Sequence, residues 1–388
     1  MTWPGRTEHA ALYAVATDLI ATLEGIRGRL RHGDTHYVFH SDAADRCRSL
    51  SFYLSSALNE AERDYYAPAL GSIRSAMEHV YIDKLIFLGQ RYVQIFRDID
   101  ETTWEIWQAE KASGTGWADV TSWSRSPKGR VRITREGLHS EPDENGNTQT
   151  IGPHYFLLRE YSPFVGPPDV QQYFDNGLSN VDQRRAEAER HKYMHREYLK
   201  WESLKESLKA NGFADDELLR RLDVHFRFLS AFVHPNTDVL RLVYGRNSSW
   251  PSYDHYSSEA ILLYITVLAV EELRSFIQMA ERPPTVKIDN GDKITQLCDR
   301  AWNLSSYFWY PGQRPHDHDR FQEANRRGFR QRRAGNPLVE TPQSLSDDDI
   351  GYYAQPLQRL IELHCSKQEL MTGFAYQSPW PRQDAQWR

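Results

Sequence analysis

Cysteine is scarce in this chain. Three occur among 388 residues, Cys47, Cys298 and Cys365, far apart and odd in number. No CxxC pair exists, so a disulfide framework and a zinc ribbon have no support. A reducing, cytoplasmic setting is the expectation. Long apolar runs are missing too. The longest, Ala260 to Val270, contains Thr266 and runs into Glu271 and Glu272. It is too short to span a bilayer and reads as a buried helix, so no membrane is expected as a partner. The N-terminus has no apolar h-region, so no secretory signal is expected. Positive charge is not in excess: 47 Lys and Arg against 53 Asp and Glu leave a formal net charge of −6. Any nucleic-acid contact therefore needs a local basic patch. No P-loop, GxSxG elbow or HExxH occurs, and no GxGxxG follows a strand. Nucleotide-driven, hydride-transfer and serine-hydrolase chemistry have no motif here, and no cofactor is expected.

Aromatic residues, by contrast, are dense: 11 Trp, 21 Tyr and 16 Phe. With 40% apolar and 26% charged residues, the composition is that of a globular protein with large packed or stacking surfaces. The length suits about two domains.

Helical periodicity dominates the first hundred residues. Leu12, Val15, Leu19 and Leu23 mark a helix over 8–31. Ser41 and Asp42 can cap a second, to about Tyr66. Pro68 fits the first turn of a third, which the stripe Ile73, Met77, Val80, Leu85, Leu88 and Val93 carries to about Asp100. Past the glycines at 114 and 116 the pattern turns to β. Residues 129–135 alternate polar and apolar, 143–147 read as a turn, and 148–158 as a returning strand. Helix returns over 180–210, 214–233 and 257–279. The segment 287–308 also suits helix, 311–348 reads as irregular, and 347–366 as a last helix. The fold class expected is mostly α: a helical bundle with a small β-hairpin insertion and an irregular C-terminal extension. The divisions are 1–112 for the N-terminal bundle helices, 113–158 for the β insertion, 159–284 for the remaining bundle helices and 285–388 for the extension.

The segment from Arg227 to Asn236 carries the main chemical signal. Arg227 and His234 lie two helical turns apart on one face. An arginine neutralises phosphate oxygens, and a histidine exchanges protons near neutral pH. Together they suit metal-free RNA cleavage, in which the 2′-hydroxyl attacks the adjacent phosphate and the arginine stabilises the added charge. Pro235 disfavours α geometry at His234, which places the histidine at a helix C-terminus, where the dipole favours its protonated form. Two turns span about 10 Å along the axis, so one helix alone makes no compact site. A two-fold dimer would bring two such helices together. The plain alternative is a surface salt bridge plus a helix-terminal histidine bonded to a carbonyl.

Arg227-x6-His234 resembles the R-x(4–6)-H pattern of the HEPN superfamily. The context, Arg74 to Glu78 on one helix and Leu229, Ser230, Val233, His234 and Pro235 on another, is similar to a HEPN-like group of bacterial proteins. The resemblance covers about 41–100 and 180–280. It implies an all-α dimer that is a metal-independent endoribonuclease or RNA-binding protein of bacterial antiviral defence or toxin systems. Arg227 and His234 would be catalytic, with Arg74, Glu78, Ser230 and Asn236 supporting. The implied partners are RNA, a second copy of the chain, and a protein partner or antitoxin. Phe228 departs from the polar residue that usually follows the arginine in the active ribonucleases. A second function class therefore stands beside the first: a non-catalytic dimerisation or ligand-binding module that recruits a partner.

Other clusters have both a chemical and a plain reading. Arg74 and Glu78 are spaced as an intrahelical ion pair. Glu187, His191 and His195 share a helix face at metal-ligand spacing, yet the stretch is charged throughout and reads better as a solvated face. His316, Asp317, His318 and Asp319 read as a polar loop. No metal site is assigned. Arg326, Arg327, Arg330, Arg332 and Arg333, with Phe329 among them, form the strongest basic cluster, and Arg130 and Arg132 share one face of a strand. These seven are the nucleic-acid candidates, with a solvated face as the alternative for each group.

Overall fold

The computed structural model describes residues 4–31, 38–97, 99–113, 120–136, 139–142, 148–152, 200–233, 256–282, 286–305, 310–315, 317–335, 341–351, 356–357 and 360. It is mostly helical. The helices are α1 (Pro4–Gly25), α2 (Val38–Glu62), α3 (Tyr66–Leu88), α4 (Glu101–Ser113), α5 (Trp201–Ala210), α6 (Asp216–Ser230), α7 (Tyr256–Ala280), α8 (Gly291–Leu304) and α9 (Asp317–Arg333). The strands are β1 (Leu30–Arg31), β2 (Arg91–Phe96), β3 (Val120–Arg125), β4 (Val131–Glu136), β5 (His139–Pro142), β6 (Thr148–Gly152) and β7 (Lys287–Ile288).

The apolar run Ala260–Val270 forms the middle of α7 and is buried all round. A helix apolar on every face must be surrounded, and α1, α2, α3 and α8 pack about this one. Among the described residues no helix is long and apolar enough to cross a membrane. A short antiparallel pairing of β1 with β7 ties the end of α1 to the start of α8, helped by Asp289 N donating to the Arg29 carbonyl at 2.8 Å.

The expected third helix stops earlier than its apolar stripe suggests. Gly89 closes α3 in an extended conformation, its amide donating to the Leu85 carbonyl at 2.8 Å. A Cβ there would collide with that carbonyl oxygen and crowd the Tyr92 hydroxyl. The residues after it, Arg91–Phe96, form β2 rather than more helix. They are rich in β-branched and aromatic types, and they pair with β4 along their whole length, Arg91 opposite Glu136 to Phe96 opposite Val131. The sheet order is β2-β4-β3, all antiparallel. The expected hairpin is thus a three-stranded sheet that draws its first strand from before residue 113. The strand at 148–152 pairs with β5, not with β4.

The exposed edge of β2 is covered by α5. Val93 N donates to Ser207 Oγ at 3.0 Å, and Asn211 Oδ1 accepts from the Gln90 and Arg91 amides at 2.6 and 2.9 Å. Asn211 Nδ2 returns a bond to the Arg91 carbonyl at 2.7 Å. Side chains here do what a fourth strand would do, which removes a pairing hazard. On the other side the sheet has its own small core of Phe96, Val131 and Ile133, against Trp104 and Trp107 of α4 and Trp123 of β3.

The C-terminal extension is less irregular than its composition suggests. Its basic run lies on α9, which spans 17 residues. The helix expected over 287–308 is confined to Gly291–Leu304.

Candidate functional site

The site is built on the C-terminal half of α6. Asp215 caps this helix, its carboxylate accepting from Leu218 N at 2.7 Å, and Asp216 and Glu217 oppose the dipole in the first turn. Leu219, Leu222, His225, Phe228 and Leu229 are buried. That choice of buried face sends Arg227 outward, with a side chain 82% exposed. Among the described residues its ion-pair partner is Asp223, 3.9 Å away. Asp223 is already engaged, accepting from Trp201 Nε1 and from Lys205 Nζ, both at 2.7 Å. Arg227 is therefore a solvent-facing cation with weak internal competition for its guanidinium.

Arg74 is its opposite. Only 13% of its side chain is exposed, and every side of the guanidinium is used. It makes a two-pronged pair with Glu78, Nη1 to Oε2 and Nη2 to Oε1, each 2.9 Å. Its Nε donates to Ser230 Oγ at 2.8 Å, and that hydroxyl donates to the Phe226 carbonyl at 2.6 Å. The guanidinium lies 3.6 Å over the Phe226 ring. Phe226 stacks in turn on Trp201, with centroids 4.1 Å apart and planes at 9°. Arginine, phenylalanine and tryptophan thus form one stack from α3 through α6 to α5. It pins the end of α6 to the bundle and leaves Arg227 free on the outer face. A fork and a planar stack suit arginine and not lysine.

Of the residues singled out in the sequence, Arg74, Glu78 and Ser230 come together, and Arg227 stands one helical turn before Ser230. His234 and Asn236 lie outside the described residues, as do Glu187, His191, His195 and His316. Among the described residues, no group of three His, Cys, Asp or Glu is placed to hold a metal ion.

The insertion arginines are engaged with α5. Arg130 pairs with Glu202, which also takes Arg97 at 2.6 Å, and Arg132 pairs with Glu206 at 2.5 Å. Partial burial pushes the Glu202 carboxyl up, but Arg97 and Arg130 outweigh it and hold it below the usual range. A nucleic acid at Arg130 or Arg132 would have to displace these carboxylates. On α9, Arg327 is bound by Glu323 at 2.9 Å and by Asp349 at 3.1 Å, while Arg330 and Arg333 are exposed.

One cluster escaped sequence reasoning. Asp83 of α3, fully buried, receives Arg46 Nε at 2.5 Å and His79 Nε2 at 2.9 Å. Glu272 of α7, also buried, lies beside Asp83 and accepts from the Cys47 thiol at 3.4 Å. Burial pushes Asp83 up, but Arg46 and His79 more than reverse it and keep it ionised. Burial and the Asp83 charge push Glu272 well above the glutamate range. Glu272 is therefore the protonated partner that donates to Asp83, because two adjacent buried carboxylates cannot both ionise. The acidic doublet Glu271-Glu272, which ends the apolar run inside α7, was the available signal. Its partners lie on other helices and could not be read from spacing. Cys47 and Cys298 are buried free thiols, and burial raises both, Cys298 to about 11.

Comparison with models of known families, with curated proteins and with solved structures finds no match.

Proposed function

We propose that the protein is a metal-independent endoribonuclease of HEPN type, acting in bacterial defence or as a toxin. The observation that carries this is the contrast between two arginines at one helix end. Arg74 is locked into the scaffold, and Arg227, one turn from the Ser230 that receives Arg74, is left open to an anion. A fixed helix with a free guanidinium is what phosphate recognition asks of a scaffold.

In this reading Arg227 holds the phosphate to be cut and stabilises the charge that builds on it. The RNA 2′-oxygen forms a bond to phosphorus as the bond to the 5′-oxygen breaks. The 2′-hydroxyl proton goes to a neutral His234 of one copy. A protonated His234 of a second copy gives a proton to the leaving 5′-oxygen, which leaves a 2′,3′-cyclic phosphate and a 5′-hydroxyl. Two copies about a two-fold axis supply the two roles that one helix cannot. Arg74, Glu78 and Ser230 act on α6 rather than on RNA.

The test is incubation with total RNA, with and without a chelator, beside Arg227→Ala, His234→Ala and the double variant. Cleavage insensitive to chelator and reduced about 100-fold or more in each variant is expected. Cleavage that survives the double substitution would sink the assignment, and loss on chelation would move the chemistry to a metal. An intact fold with no cleavage at all favours the non-catalytic module.

A further inference from the structure

A cleft of about 780 Å³ opens between the first half of α6 and α9, closed on one side by residues 348–351. Its lining shares no residue with the Arg74 stack, and its volume is typical of small-molecule sites. Among the described residues five guanidinium groups line it, those of Arg220, Arg221, Arg326, Arg327 and Arg330, against four carboxylates.

The pairing inside the cleft is uneven. Glu217 serves both Arg220, at 2.6 Å, and Arg221, at 3.1 Å. Glu323 serves both Arg326 and Arg327. Asp349 adds a second partner to Arg327, and the Ser346 side chain and backbone, with Arg327, hold its carboxyl down at about 2. Among the described residues Arg330 has no carboxylate, and Asp348 is exposed with no cation of its own. Each guanidinium carries five N–H donors, so carboxylates shared in this way leave donors unspent on Arg220, Arg326 and Arg330. Arg220 and Arg326 are 74% and 55% exposed. The chain as a whole is acidic, so this concentration of donors is local.

We propose that this cleft is a binding site for a small oligophosphate, a ligand carrying two or more linked phosphates. Phosphate oxygens match the arginine fork. More than one phosphate is needed because the donors sit on both walls, α6 and α9. Among the described residues no aromatic side chain lines the cleft, so none of them offers a platform on which a base could stack. Recognition is therefore of the phosphate chain, and a nucleic-acid strand is the poorer fit. Asp348 faces the site as a competing anion.

The test is calorimetric titration of the full chain with sodium tripolyphosphate at low salt. Wild type is compared with Arg326→Ala/Arg330→Ala, Arg330→Glu, Asp348→Asn and an exposed control, Arg300→Ala. The expected result is binding by wild type and the control, about tenfold or more weaker in the double variant and in Arg330→Glu. Asp348→Asn should bind more tightly. Arg330→Glu alters only an exposed side chain, so it decides the matter if the double variant fails to fold. No binding of tripolyphosphate by wild type, or equal binding by Arg330→Glu, would overturn the proposal. Cleavage is not read here, so the outcome is independent of the ribonuclease reading.

Discussion

At the scale of single residues, exposure separates the groups that hold the fold from those open to a ligand. Arg227→Ala should leave stability within about 0.5 kcal/mol, because an exposed side chain with one long ion contact contributes little. Arg74→Ala removes two charge-assisted bonds to Glu78, one to Ser230 and the contact with Phe226, and should cost about 1–3 kcal/mol. Chemical denaturation of the two variants distinguishes these outcomes. Equal losses would contradict the assignment of roles. Glu272 gives a pH signature. Its folded carboxyl titrates above its ordinary value of 4.5, so its stabilising contribution is full below that pH. The contribution is lost as pH rises towards the folded value. Glu272→Gln keeps a donor for Asp83 and removes the proton requirement. Its melting temperature should gain on wild type between pH 5 and pH 8, and a constant difference across that range would refute the shared proton.

At the scale of elements, the boundary between α3 and β2 decides where the sheet attaches. Gly89 closes the helix against the Leu85 carbonyl, and two residues later the chain pairs with β4. Gly89→Ala should destabilise by about 1–3 kcal/mol through that collision, measured by thermal unfolding. A neutral result would mean that the helix end shifts freely. This boundary also shows what could be read in advance. The apolar residues of α1, α6 and α7 recur with helical spacing, so these elements were legible. Val93 fits a helical stripe as well as it fits a strand, and only the long-range pairing with β4 decides between them. The same limit hid α9, whose polar composition resembles a loop while Glu323 holds Arg326 and Arg327 and Asp349 holds Arg327 as well. Arg130 and Arg132 were legible as one face of a strand, yet nothing local announced that Glu202 and Glu206 would meet that face.

At the scale of the whole molecule, α7 is the axis, and the remaining helices set what reaches the surface. The Arg74–Phe226–Trp201 stack joins α3 to α5 and α6, which lie more than a hundred residues later in sequence. The resemblance named Arg74, Glu78 and Ser230 only as supporting residues, and both the Arg74–Ser230 bond and the aromatic part came from the tertiary fold. The spacing of Arg227 and His234 expected from helical rise is too open for the proposed reaction on one chain, so under that proposal activity should depend on self-association. Specific activity should rise with concentration over the range in which sedimentation shows a dimer forming. The most direct measurement is the single-turnover cleavage rate of a defined RNA oligonucleotide in excess chelator, for wild type, Arg227→Lys and Arg227→Ala. The account predicts 2′,3′-cyclic phosphate ends from wild type, an intermediate rate for Arg227→Lys, which keeps the charge but loses the fork, and a loss of about 100-fold or more for Arg227→Ala. Equal rates for all three would contradict it.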